Sequence, residues 1–376
     1  MRASRRVPVT RHIGKGLALV SIALTSACST FEGLKLADEP SKPCRHASVA
    51  PAPQTFDNDL LGNTFDVAVS GFDFSPGDGT VGFDLDGTCT GQGQAPSCRL
   101  PTWAVNHDDG PDGRDNVLSE LPTTADGGMG NNQSNAFIEQ GFLTTVLRIR
   151  NYNGLPSDGR IDVELFAATR ATGDHNSVSN PPHWDGADVW NPLVEWTSQG
   201  ATNTDGGTTE VVARYRSDRA YVNNHILVAH FEEALGADTL LFYDQVFQAR
   251  IERAGMTSWT LRDGVSAGRL PIDQILAALQ FTPDGTTGLP TCTDSPSYPA
   301  TKKAVCSQVD IRYADNDPSA PCDAASWAWK FETGPAILSN NVNPVRGSDY
   351  NRCPKETLPA FDSCASLDGE PPGPGN

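Results

Sequence analysis

Apolar and polar residues alternate with a period of two in several stretches of the chain. Phe65, Val67 and Val69 alternate with polar residues and lead into Phe72 and Phe74. Successive strand residues point to opposite faces, so this spacing gathers the apolar side chains on one face. The pattern predicts a strand that is buried on one side.

A hairpin and several further strands are predicted by similar runs. The segments 142–150 and 161–167 flank residues 151–159, which are rich in Asn, Gly, Pro and Ser and typical of a turn. Trp327 and Trp329, two residues apart, are predicted to share a strand face. Strands of the same style are predicted at 211–216, 226–231 and 240–251.

Helical spacing is confined to residues 135–140 and to the segment from Pro271 to Leu279, where the proline occupies the first helical position. No repeat of fixed period is present. The 35 Gly and 28 Pro residues suit short strands joined by turns. We therefore predict a mainly β protein: an antiparallel β-sandwich of the jelly-roll or lectin-like type, with one or two short helices and long loops.

The first 27 residues predict a signal peptide. Five basic and no acidic residues accompany the apolar run Gly16–Ala27, which is too short to span a bilayer, since spanning needs about 20 apolar residues. Residues 24–28, LTSAC, resemble the lipobox of bacterial lipoproteins, with Thr25 in place of the usual aliphatic residue. We predict acylation of Cys28; cleavage without a lipid is the alternative.

The rest of the chain is predicted to contain a tether at 28–60, one β domain at 61–364 and a disordered tail at 365–376. The tether and the tail are polar and rich in proline. Ser29 follows Cys28 where an Asp would resemble an inner-membrane retention signal. This favours an outer-membrane lipoprotein of the cell envelope.

Nine cysteines are present, and removing Cys28 leaves an even set of eight, which suits disulfides in an exported chain. Close spacing favours the pairs Cys89–Cys98 and Cys292–Cys306. Zinc is disfavoured, because no cysteines have Cys-x-x-Cys spacing and the seven histidines are scattered. The eight candidates are Cys44, Cys89, Cys98, Cys292, Cys306, Cys322, Cys353 and Cys364.

Two acidic stretches predict a calcium site. The formal net charge is −18 and becomes −23 without the five basic residues of the signal peptide, so the surface repels nucleic acid and suits cations. Alternating Asp and Gly supply oxygen ligands while letting the backbone curl, and the second stretch resembles a fragment of thrombospondin-type calcium repeats. The alternative is a pair of solvated turns. The predicted ligands are Asp84, Asp86, Asp108, Asp109, Asp112, Asp115 and Asn116.

A long loop-like region at 171–205 predicts a ligand-binding surface. Trp184, Asp185, Asp188 and Trp190 lie close together in it. Tryptophan rings stack well on sugars, and aspartates accept hydrogen bonds from their hydroxyls. The alternative is that the tryptophans fill the rim of the core.

Two enzyme signals are weaker. Residues 264–268 match the Gly-x-Ser-x-Gly nucleophile elbow, but all seven histidines precede Ser266, whereas an α/β-hydrolase needs its histidine after the serine. The glycines are instead expected to permit a tight turn.

Asp162 and Glu164 share a strand face, as paired glycosidase carboxylates do. They match the E-x-D-x-x-E strand of laminarinase-like enzymes only in part, and the alternative is an outward face of an exposed strand.

A family resemblance rests on five segments, which are Gly82–Cys89, Gly113–Asn116, Tyr152–Gly154, Gly264–Arg269 and Cys322–Ser326. Together they resemble a family of uncharacterised predicted lipoproteins abundant in myxobacterial genomes. The resemblance spans residues 60 to about 345. It implies export and lipid anchoring and brings no assigned activity.

The sequence as a whole predicts a cell-envelope lipoprotein whose β-sandwich binds a ligand, with calcium in the acidic loops and a glycan as partner. Two alternatives stay open: a glycan-acting hydrolase using Asp162 and Glu164, and a structural envelope protein without a small ligand. A hydrolase needs two carboxyls about 5 to 9 Å apart in a cleft. A glycan-binding protein needs an exposed aromatic platform.

Overall fold

Strands make up 43% of the protein and helices 15%, so the predicted mainly β class is confirmed. The computed structural model describes residues 44–54, 62–74, 79–120, 131–171, 181–205, 208–235, 240–256, 258–343 and 353–368. The strands are β1 (Asn63–Asp73), β2 (Thr144–Tyr152), β3 (Asp158–Arg170), β4 (Val189–Pro192), β5 (Thr197–Asp205), β6 (Thr208–Ala213), β7 (Tyr215–Asn223), β8 (Ile226–Leu235), β9 (Leu241–Arg253), β10 (Trp259–Pro271) and β11 (Ala324–Leu338). The α-helices are α1 (Asn131–Glu139), α2 (Ile272–Ala278) and α3 (Tyr298–Cys306).

Eight antiparallel strands close the main sheet into a barrel, so the predicted sandwich is wrong. The strands follow the order β1-β2-β3-β7-β8-β9-β10-β11, and β11 pairs back with β1, where Pro335 lies opposite Val67. A half-buried strand shows the same alternation in a sandwich and in a barrel. The pairing of β1 with β11 decides between a sandwich and a barrel, and these two strands come from opposite ends of the domain.

The barrel interior is filled by the apolar residues that alternate along its strands. Val67 and Val69 of β1, Leu147 of β2 and Leu165 of β3 belong to one buried cluster with Phe331 of β11. Leu147 lies opposite Leu165 in the β2–β3 pair. The predicted half-buried strand and the predicted hairpin are confirmed.

The outer face of the barrel is also covered in places. Ala68 and Phe166, whose side chains point away from the interior, pack with Trp190 of β4 and Val211 of β6. Strands β5 and β6 form a separate two-stranded sheet. Chain segments outside the barrel therefore cover parts of its outer face. The acidic loops described below cover another part, where Val81 and Phe83 pack with Ala267 and Ala328.

Helix α2 packs against an aromatic cluster at one part of the core. Trp327 and Trp329 lie on one strand face, as predicted, with ring centroids 5.2 Å apart. The ring of Phe242 is 5.7 Å from Trp327, and the cluster also includes Ile272 and Leu276 of α2. The predicted helix after Pro271 is confirmed, whereas α3 was not predicted.

Four disulfides join the eight predicted cysteines, but both pairs favoured by spacing are wrong. The disulfides are Cys44–Cys89, Cys98–Cys322, Cys292–Cys353 and Cys306–Cys364. The partners in the second pair are 224 residues apart in sequence, yet their Cα atoms are 5.3 Å apart. A disulfide requires close Cα atoms, and in this protein the barrel, not sequence separation, brings them together.

Residues 44–54, here called the N-terminal strap, lie against the barrel, although the predicted tether ran to residue 60. The backbone N–H of Ala50 donates to Gln248 Oε1 at 2.7 Å, and Tyr221 donates to the Ala50 carbonyl. The predicted signal peptide, Cys28, the other parts of the tether and the tail from residue 369 lie outside the described residues. No helix in the described part has the length and apolar character needed to cross a membrane.

Candidate functional site

The two acidic loops lie side by side against the outer face of β11. The N–H of Asp115 donates to the Phe83 carbonyl at 3.0 Å, and the N–H of Asp109 donates to the Thr90 carbonyl at 3.1 Å. The second loop is tied to β11 because the N–H of Ala328 donates to Asn116 Oδ1 at 2.8 Å. The barrel wall thus serves as the rigid floor of both loops.

Local Asp–Gly turns shape the first loop. Asp84 Oδ1 accepts a hydrogen bond from the N–H of Gly87 at 2.6 Å, and Asp86 Oδ1 accepts one from Thr88 at 2.8 Å. Gly87 has a φ of 74°, a left-handed conformation that glycine adopts without steric penalty. These turns point both aspartates to the same side of the loop.

Four aspartates, Asp84, Asp86, Asp109 and Asp115, come together and are called the aspartate cluster here. Carboxylate oxygens of Asp84, Asp86 and Asp115 all lie within 4.8 Å of one another, and Asp109 lies beside Asp115. Asp86 is 6% exposed and Asp115 only 2% exposed. Backbone N–H groups of Leu85 and Thr90 donate to Asp115 and Asp109, both at 2.6 Å.

The surroundings make these carboxyl groups hard to ionise. Burial raises the pKa of Asp109 to about 7, and the charges of Asp86 and Asp84 add to that increase. Burial and the same kind of repulsion raise the pKa of Asp115 well above its usual range. Burial also raises the pKa of Asp86. Buried carboxylates so close together need either protons or a cation between them.

Two further oxygen-bearing side chains adjoin the cluster, and sequence reasoning missed both. Burial raises the pKa of Asp310 to about 7, with contributions from Asp86 and Asp109, and Asp310 accepts hydrogen bonds from the N–H and hydroxyl of Ser326. The buried Ser97 hydroxyl lies beside Asp86 without a well-formed hydrogen bond. Neither residue lies in an acidic stretch, so the sequence carried no local signal for them.

No protein-family model, curated protein or solved structure matches this chain. Its site is therefore interpreted from its own geometry.

The N-terminal strap covers one side of the aspartate cluster. His46 Nδ1 contacts Asp84 Oδ2, and the strap carbonyl of Ala47 accepts from the N–H of Asp84 at 2.9 Å. Ligand atoms of Cys44, His46 and Cys89 also lie within 4.8 Å of one another. The two sulfurs are bonded to each other, so they are not thiolates that could hold zinc.

Three predicted calcium ligands stand apart from the cluster. Asp112 is 49% exposed in its side chain and lies 3.5 Å from Arg114. Asn116 directs its amide to the Val81 carbonyl and to Ala328. Asp108 packs against Gly91. The spacing of Asp and Gly in the sequence correctly indicated the two loops that form the cluster. The turns within these loops determine which of their carboxylates converge.

The predicted sugar-binding surface around Trp184 and Trp190 is not an exposed platform. Trp190 is fully buried, and Trp184 stacks on it with ring centroids 5.6 Å apart. Asp188 is buried, pairs with Arg170 at 2.6 Å and accepts from the N–H of Trp184. Asp185 accepts a local turn hydrogen bond from Ala187. This segment covers the outer core, which is the alternative raised from the sequence.

The two enzyme signals serve structural purposes. Ser266 is fully buried in the middle of β10 and accepts a hydrogen bond from Gln245 Nε2 at 3.1 Å, so the predicted turn is wrong. Glu164 is buried and pairs with Arg150 at 2.9 Å. Asp162 accepts from Asn151 at 3.0 Å. The paired carboxylates thus stabilise the β2–β3 hairpin.

Proposed function

We propose that this protein is an exported, lipid-anchored protein of the cell envelope whose barrel holds a calcium ion at the aspartate cluster. The observation that supports the cation is the convergence of four carboxylates, of which Asp84 contacts the His46 ring and the other three have no lysine or arginine partner in the described part of the chain. Among the described residues, no lysine or arginine forms an ion pair with Asp86, Asp109 or Asp115.

The donor set favours calcium over other ions. All its members are oxygen atoms, from carboxylates and from the Ser97 hydroxyl, and calcium takes six to eight oxygen ligands in flexible geometry. The two loops come from separate stretches of chain. An ion shared between them would therefore crosslink the outer layer of the barrel.

Export is supported by the signal peptide pattern and by the four disulfides, because such bonds persist in oxidising compartments. Lipid anchoring rests on the sequence around Cys28. Replacing Cys28 with serine is expected to abolish incorporation of labelled palmitate and to release the protein from the membrane fraction. Unchanged labelling would contradict the anchor.

The cation is tested by thermal unfolding of the exported Cys28→Ser chain with disulfides intact, in chelator and in millimolar calcium. A ligand that binds only the folded state at a hundred times its dissociation constant adds about 2.7 kcal/mol to the free energy of unfolding. We expect a clear rise in Tm with calcium. No rise would mean that the cluster binds no calcium and that its carboxyl groups are kept neutral by protons instead.

A matched pair of variants locates the ion. Asp115→Asn is expected to abolish the calcium shift and to leave the Tm in chelator little changed, because the amide replaces a carboxyl group that its raised pKa keeps protonated in the absence of the ion. Asp112→Asn, in the same loop but outside the cluster, should keep the full shift. Equal shifts in the two variants would place the ion elsewhere.

A further inference from the structure

Two tyrosines form an aromatic surface on the outside of the barrel. Tyr243 of β9 and Tyr313, from the segment that follows α3, have ring centroids 5.1 Å apart and planes at 52°. Tyr313 is 39% exposed, and Tyr243 is partly buried. Unlike Trp190, which is fully buried, Tyr313 is open to solvent.

Acidic residues flank both tyrosines in the chain or in strand register. Glu233 lies opposite Tyr243 across the β8–β9 pair and is exposed. The side chains of Asp244 and Asp315 are 58% and 66% exposed; Asp315 pairs with Arg312 at 2.9 Å, and Asp244 lies 3.7 Å from Arg269. Asp244 has a φ of 47°, so the chain departs there from regular strand geometry, and the register of the β9–β10 pair shifts at the same place.

Hydrogen bonds from Arg269 hold the segment that carries Tyr313 against the barrel. The guanidinium Nη1 donates to the Arg312 carbonyl at 2.9 Å and to Asn316 Oδ1 at 3.1 Å. Arg269 is buried, and its Nε lacks a hydrogen bond, with Asp244 Oδ2 3.7 Å away. The base of the surface is therefore fixed in place.

The same contacts connect the tyrosine pair to the acidic loops. Arg269 Nη2 donates to the Leu85 carbonyl, and Asn316 Nδ2 donates to the Asp86 carbonyl, both at 2.5 Å. Across the strands, Arg269 lies between Tyr243 on β9 and Ser326 on β11, and Ser326 holds Asp310. One continuous row of contacts thus joins the tyrosines to the aspartate cluster.

We infer that the Tyr243–Tyr313 surface binds a neutral saccharide chain. Aromatic rings stack on the apolar C–H faces of sugar rings, and the phenol groups and surrounding carboxylates can hydrogen-bond the sugar hydroxyls. The acidic rim and the net charge of −18 disfavour anionic polymers. The angle between the rings suits a chain that bends as it passes from one ring to the other.

The stacking surface does not itself require a cation. Its dependence on calcium does rest on the proposed function, because an ion at the aspartate cluster would order Asp86 and, through Asn316, the segment that carries Tyr313. Binding of saccharide and binding of calcium can therefore succeed or fail separately.

The inference is tested by affinity electrophoresis of the exported Cys28→Ser chain in gels that contain a soluble β-1,3-glucan, a β-1,4-glucan, an α-glucan or a mannan, with calcium present. At least one polymer is expected to retard the protein. Tyr313→Ala should weaken that binding roughly tenfold or more, as truncated aromatic hot spots do. Tyr313→Phe, which keeps the ring, should retain most of it.

A matched control is Phe361→Ala, which removes a 73% exposed aromatic ring outside this surface and should leave retardation unchanged. No retardation by any of the four polymers, or equal retardation of Tyr313→Ala, overturns the inference. If the surface binds a protein instead, none of the four polymers should retard the chain. Tyrosine-dependent retardation without a calcium shift in Tm would overturn the cation alone.

Discussion

Gly264 lies in β10 because the barrel core leaves no room for a side chain there. A Cβ at this position would lie 2.6 Å from ring atoms of Phe331, and Phe331 is buried among the interior residues. The sequence suggested that this glycine permits a turn. Its actual role is to accommodate an aromatic ring from the neighbouring strand, where Phe331 is its register partner.

Gly264→Ala is therefore expected to lower the free energy of unfolding by about 1–3 kcal/mol, the usual effect of overpacking a core. Urea denaturation measures it. The matched control is Gly285→Ala, where a Cβ meets nothing within 4 Å and the change should be neutral or slightly stabilising. If Phe331→Leu does not rescue the Gly264 variant, the ring is not the cause.

The aspartate cluster shows how far single residues could be assigned from the sequence. Asp84 and Asp86 were predicted as ligands because they are two apart beside a glycine, and they do converge. Asp112 was predicted by the same logic and points to solvent. Asp310 was missed, because only the fold places it beside a loop about two hundred residues earlier in the chain.

The N-terminal strap is an element that sequence patterning misread. It has no periodicity and is rich in proline, so it was predicted to belong to a free tether. Its backbone groups are nevertheless paired with the barrel and with the second acidic loop: Asn223 of β7 donates to the Pro51 carbonyl at 2.9 Å, and Ala47 donates to the Asp112 carbonyl at 2.7 Å. Such contacts leave no trace in hydropathy, because they use the main chain of the strap.

Removing the Cys44–Cys89 disulfide by a double change to serine is expected to loosen this strap. The bond spans 45 residues, which in the chain-entropy model contributes about 4 kcal/mol. Hydrogen exchange at Ala47 and Ala50 should accelerate well beyond that of barrel strands such as β9. Unchanged exchange there would mean that the hydrogen bonds hold the strap without the disulfide.

Protonation of the aspartate cluster affects the stability of the whole molecule. Asp109 and Asp310 have pKa values of about 7 in the folded protein, against a reference value of 3.8. Between these values the folded chain binds more protons than the unfolded chain, so stability falls as the pH rises. In calcium-free buffer this contribution is complete below pH 4 and is lost as the pH passes 7.

We therefore expect the Tm in calcium-free buffer to fall between pH 5 and pH 8 relative to that of Asp109→Asn, which cannot titrate at this position. The comparison with this variant is needed because burial lowers the pKa of His230, which acts in the opposite direction. The rise in Tm with calcium should be larger at pH 8 than at pH 5, because calcium competes with protons. A calcium shift that does not depend on pH would contradict this competition.

The sequence by itself determined the β class, the strand faces, the helix after Pro271 and the eight cysteines that form disulfides. These follow from local rules, because side-chain periodicity and turn residues act over a few positions. Closure of the barrel, the disulfide partners, the burial of Trp190 and the recruitment of Asp310 were decided only by the tertiary structure. Each depends on contacts between residues far apart in the chain, such as the pairing of β1 with β11, and no local pattern encodes them.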